Sequence, residues 1–104
     1  MSVFGKWVPG RIASGGTSTG PIDLGGDYEF LCIQLPALTS GTLKLQAADA
    51  FEGTYQDMGA NVVAAATTGS YNDVWNLGGW RYVKVVSGAA QGAERILNVR
   101  GWNP

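Results

Sequence analysis

The chain has 104 residues, a formal net charge of −1, no histidine and one cysteine, Cys32. Only 14% of its residues are charged, against about 25% in an ordinary globular domain, while an apolar share of 45% is enough for one core. Histidine is the commonest proton shuttle and metal ligand. Its absence excludes Ser/His/Asp and Cys/His catalytic sets, the lone Cys excludes an internal disulfide framework, and singly spread Lys and Arg offer no track for a phosphate backbone.

Residues 1–20 read as an N-terminal arm or first strand, ahead of a domain spanning 21–104. Val3, Phe4, Trp7 and Val8 are apolar, Pro9-Gly10 breaks the run, and residues 14–20 have the composition of a linker. Two readings stand open: a first strand followed by a loop, or an arm that docks on a neighbouring subunit. The N-terminus lacks the charged and apolar regions of a secretory signal. No apolar run approaches the ~20 residues of a membrane span. Both features predict a protein made and folded in a cytoplasm, with no membrane partner.

Tyr28 to Leu35 is apolar on both alternating faces, as in a strand covered on both sides, with Cys32 expected to be a buried small hydrophobe. Pro36 ends it. Thr42 to Ala47 alternates cleanly, with Leu43, Leu45 and Ala47 inward. A short segment around Thr54 to Met58 follows a turn at Gly53. Asn61 to Thr68 reads as extended loop or short strand, because Val and Thr weaken a helical turn. Gly69 to Leu77 carries Tyr71, Val74 and Trp75 before a Gly78-Gly79 turn. Arg81 to Val86 and Glu94 to Val99 alternate again around a small-residue loop at 87–93.

Short strands and Gly-rich turns predict an all-β fold: a single antiparallel β-sandwich, jelly-roll-like, with an extended N-terminal arm. Its expected core is Leu31, Ile33, Leu43, Leu45, Val83, Val85, Leu97 and Val99. Asp49, Glu52 and Asp57 fall close together across a turn, where solvated acids are ordinary. They lack the ligand density of a Ca²⁺ loop and the facing geometry of a glycosidase pair. No enzyme activity, metal, nucleotide or other cofactor is expected. Tyr71, Trp75 and Trp80 around Gly78-Gly79 form either an aromatic surface for sugar or protein, or part of the core. Val3, Phe4, Trp7, Val8 and Trp102 lie near the two ends and are candidate partner anchors.

Residues 42–59, TLKLQAADAFEGTYQDMG, resemble a segment of small bacteriophage virion proteins. In those, a strand ending in LQ and a small residue leads through an acidic, Gly-containing turn to an aromatic. Residues 80–102, WRYVKVVSGAAQGAERILNVRGW, are similar to that family's R-Y-(V/I)-(K/R) strand and closing hairpin. The N-terminal third carries no part of the match. The resemblance implies a structural protein of the phage particle, first of all a capsid decoration (cement) protein, with the major capsid protein and further copies of itself as partners. A trimer would suit the threefold sites of a shell. Tail or baseplate components and a carbohydrate-binding β-sandwich module are the alternatives.

Overall fold

The computed structural model describes residues 3–36, 42–64 and 71–104, and these contain nine strands and no helix. They are β1 (Val3–Phe4), β2 (Val8–Ile12), β3 (Ile22–Asp23), β4 (Phe30–Leu35), β5 (Thr42–Ala48), β6 (Gln56–Ala64), β7 (Tyr71–Asn76), β8 (Tyr82–Ser87) and β9 (Arg95–Asn103). One sheet runs β1-β9-β4-β7, with β2 also on β9; the other runs β3-β8-β5-β6. The antiparallel pairs nest: β2 with β9, β3 with β8, β4 with β7, β5 with β6. Successive pairs go to opposite sheets. A long hairpin folded over in this way is a jelly roll.

Period-two alternation builds the interior. Leu31, Ile33 and Leu35 from β4 and Leu97 and Val99 from β9 face Leu43, Leu45, Val83 and Val85 from the other sheet, all essentially inaccessible to solvent. Every expected core residue is in this cluster. Each large aliphatic side chain buried there contributes about 1.5–3 kcal/mol. Leu24 and Leu77 close the sandwich from loops.

The first twenty residues are less detached than their composition suggests. β2 pairs with β9 from Val8↔Val99 to Ile12↔Arg95, and Ile12 is fully buried. The expectation of an extended arm is therefore corrected for residues 8–12, which form an edge strand. Pro9 does not break it, because on an edge strand the missing N–H faces away from the ladder. Gly10 is where Ile22, Leu97 and Thr19 crowd in, each within 3.2 Å of where a Cβ would sit. The linker-like stretch is also pinned. Gly15, at φ 79°, donates to the Gln91 carbonyl at 2.6 Å, and Ser87 donates to that of Thr17 at 2.6 Å. Thr19 exchanges bonds with Val85 through its backbone N–H and its hydroxyl oxygen.

Two other expectations change. β6 is one strand from Gln56 to Ala64, so the segment around Thr54 to Met58 and the start of 61–68 are continuous, joined across a register shift opposite Lys44/Gln46. Residues 65–68 lie outside the described residues. β4 is covered on one side only: Cys32 is half-buried on the outer face, not in the core.

Gly101 marks the tightest approach. A Cβ built there would overlap the Tyr28 ring at its Cδ2 and Cγ atoms, and that ring packs over β9 against the core. Gly101→Ala must displace a ring at its rigid base, and should cost about 1–3 kcal/mol in urea unfolding. In a Tyr28→Ala background the same change should be close to neutral. Equal costs in both backgrounds would show that the ring is not what excludes a side chain.

Candidate functional site

Sheet register sorts the outward side chains of the β1/β2–β9–β4–β7 sheet into rows. One row is Phe4, Trp102, Phe30 and Asn76. The next is Arg100, Cys32 and Val74, and the third is Pro9, Asn98, Gln34 and Asn72. Ile96 lies opposite Arg11 beyond them.

The aromatic row is stacked. Phe4 and Trp102 have ring centroids 6.0 Å apart at 15°, and Phe30 and Trp102 are 4.9 Å apart at 33°. The Arg100 guanidinium carbon lies 4.6 Å from the Phe4 centroid and 4.6 Å from that of Trp7. These two cation–π contacts hold the arginine in the aromatic layer. Its Nε and the Trp102 Nε1 are buried with no hydrogen-bond partner among the described residues. Trp7 also walls a groove of about 250 Å³ over Cys32, Gln34, Asn72 and Val74.

The partner-interface candidates are thus largely one surface. Phe4, Trp7 and Trp102 are joined through Arg100 and ring stacking. Val3 sits at the sheet edge opposite Asn103. Val8 is the exception: it packs against the core. Sequence reasoning missed Phe30, Val74, Ile96 and Arg100, whose shared face depends on a register that period two alone does not supply.

The opposite outer face satisfies its own charges. Lys44 Nζ lies 3.0 Å from Asp57 Oδ2, Gln46 Nε2 donates to Asp57 Oδ1 at 2.9 Å, and Lys84 sits 4.6 Å over the Tyr55 ring. The hydrogen bond from Gln46, then that from Lys44, holds the Asp57 carboxyl below the usual aspartate range. Among the described residues no group of three His, Cys, Asp or Glu is placed to hold a metal, and Asp57 is committed away from Asp49 and Glu52.

The Tyr71, Trp75 and Trp80 group does not form one platform. Trp75 is 4% exposed and belongs to the core. The backbone of Tyr71 pairs with Leu35, while its side chain lies outside the described residues. Trp80 is 42% exposed beyond the Gly78-Gly79 turn. It lines a separate cavity of about 390 Å³ with Asp27, Asp49, Arg81 and Tyr82. Arg81 is clamped by Asp23 through bonds of 2.8 and 3.2 Å. This clamp, with the Gly25 N–H, holds the Asp23 carboxyl below its ordinary value.

No protein-family model matches the chain, and no curated protein matches its sequence. Solved structures do match its fold. The SPBc2 prophage-derived protein YomS superposes with a TM-score of 0.57 at 12% identity, covering 93% of each chain. A chitosan-binding module of a chitosanase/glucanase from Paenibacillus sp. IK-5 superposes with a TM-score of 0.53 at 13% identity, covering 90% of this chain and 76% of the module. At these identities the likeness is one of fold.

Proposed function

We propose that this chain is a non-enzymatic structural component of a bacteriophage particle, a capsid decoration protein that docks on the major capsid protein through the outer face of the β1/β2–β9–β4–β7 sheet. The observation that carries this reading is the placement of exposed apolar side chains. Of seven large exposed hydrophobics among the described residues, Phe4, Trp7, Val74 and Ile96 lie on that face, and Val3 borders it. Trp and Arg with surrounding apolar area are the composition of a binding centre, and large exposed apolar side chains gathered on one face mark an interaction surface. The virion-protein resemblance in residues 42–59 and 80–102 and the fold shared with a prophage-derived protein support the same reading.

The test uses particles from cells carrying the gene. The protein should co-purify with heads, and purified protein should bind particles lacking it. Trp7→Ala should weaken that binding about 30-fold, the effect of losing ~2 kcal/mol at an anchor. Recovery with isolated tails would assign a tail or baseplate role, and undiminished binding of the variant would place attachment elsewhere. Saccharide binding is a second reading, favoured by one separate observation: the exposed Trp80 over its cavity.

A further inference from the structure

Among the described residues, the large exposed hydrophobics away from the docking face are Phe51 and Trp80. They lie at the same end of the sandwich. Phe51 meets the Tyr82 ring edge-on at 6.1 Å, and Tyr82 and Trp80 line the same cavity. One explanation therefore has to cover two exposed rings and a concave surface together.

The turn under Trp80 is tied to the chain before β4 by backbone hydrogen bonds. Gly78 and Gly79 both have positive φ, at 66° and 96°. Their N–H groups donate to the Glu29 carbonyl at 3.1 Å and the Tyr28 carbonyl at 2.8 Å, and Trp80 N–H closes the turn on Leu77 at 3.4 Å. The indole is presented on a hydrogen-bonded backbone, which lowers the ordering cost of binding against it. A volume of about 390 Å³ is in the range of small-ligand sites, ~300–1,000 Å³.

Charge then selects the ligand. Arg81 is the single cation on the cavity wall among the described residues; its Nε and Nη2 are engaged by the two Asp23 oxygens, and its guanidinium carbon lies 5.2 Å from the Tyr82 ring centroid. Asp27 and Asp49 also line the cavity; Asp27 lies within electrostatic reach of Arg81 without a direct salt bridge, and Asp49 forms no salt bridge among the described residues. Two carboxylates beside the exposed Trp80 indole complement a ligand with a cation next to a flat apolar surface. A pyranose offers such a surface in its axial C–H face. We propose that this cavity binds a saccharide bearing a protonated amine, the ring lying on Trp80 and the ammonium facing Asp49 and Asp27. The proposal rests on the saccharide reading above and is independent of the docking face.

The experiment is a calorimetric titration of the full chain with a fully deacetylated glucosamine tetramer, its fully N-acetylated counterpart, a neutral glucose tetramer and tetralysine. The deacetylated tetramer should bind, and the N-acetylated and glucose tetramers should bind at least about ten-fold more weakly. Trp80→Ala and Asp49→Asn should each reduce the affinity by about ten-fold or more, while Trp7→Ala leaves it unchanged. Both substituted side chains are exposed, and an unchanged melting temperature confirms folding. Equal binding of all three saccharides would overturn the amine assignment and keep the saccharide reading. Binding of tetralysine with equal affinity and equal dependence on Trp80 would make this a site for cationic peptide and overturn the saccharide. No binding of any saccharide at millimolar concentration would overturn both.

Discussion

Val85→Asp should unfold the protein. Val85 is fully buried at the centre of β8, paired with Leu45, and its backbone N–H and carbonyl are both engaged by Thr19. An aspartate there faces Leu43, Leu97 and the rest of the core, and no Lys or Arg is buried among the described residues. An unpaired buried carboxylate costs several kcal/mol, and lost aliphatic burial adds about 1.5–3 kcal/mol. Together these approach the whole stability of a domain this size, about 5–15 kcal/mol. The matched control is Val86→Asp, one residue on and pointing outward on the same strand, half-exposed. It should stay folded and lose no more than about 1 kcal/mol. Far-UV circular dichroism and soluble yield separate the two. A cooperative melt near that of the unmodified chain for Val85→Asp would remove this position from the core.

The contrast between neighbouring valines explains why the core was legible in the sequence. Residues such as Val83, Val85, Leu97 and Val99 alternate with Lys84, Asn98 and Arg100, and the pleat sends the two sets to opposite faces. The pattern fails where both sets are apolar. Tyr28 to Leu35 reads as buried on both sides, yet Phe30 and Cys32 lie on an outer face roofed only by stacked Trp102 and its neighbours. An aromatic surface and a second covering layer leave the same trace in sequence.

Turn chemistry was legible as turns, but not as order or placement. Residues 14–20 have a linker's composition, yet small residues are also what lets a chain run close enough to donate to Gln91 and accept from Ser87. Gln91 itself, 1% exposed and donating to the Ser87 hydroxyl at 2.9 Å, gave no sequence signal as a buried amide. Trp75 and Trp80 sit five residues apart around one turn: the pleat of β7 turns the first into the core, while the second lies between β7 and β8, just past the Gly78-Gly79 turn, and stays on the surface. The docking face has the same origin. Phe4 and Trp102 come from opposite ends of the chain and share a row because β1 pairs antiparallel with β9.

Two N-terminal deletions should give opposite results. Removing residues 1–4 takes away β1, whose pairing with β9 is confined to Val3↔Asn103 and Phe4↔Trp102. Both side chains are about half exposed, so the sandwich should remain folded. The cost to function is larger, because Phe4 leaves Arg100 and uncovers Trp102, and attachment to particles should fall by about ten-fold or more. Removing residues 1–12 also takes β2. That strand contributes the fully buried Ile12, the Val8 contact with the core, and a ladder to β9 from Val99 to Arg95. Loss of one buried isoleucine alone costs about 2–5 kcal/mol, and the vacated strand exposes Leu97 and Ile22 where they now close over Gly10. This longer deletion should not yield a cooperatively folding domain. Urea denaturation of both proteins, beside particle binding of the shorter deletion, makes the separation. If the chain lacking residues 1–12 still unfolds cooperatively with near-normal stability, β2 is dispensable trim. If the chain lacking residues 1–4 binds particles like the intact protein, Phe4 is no part of the docking surface, and the burden moves to Trp7, Val74 and Ile96.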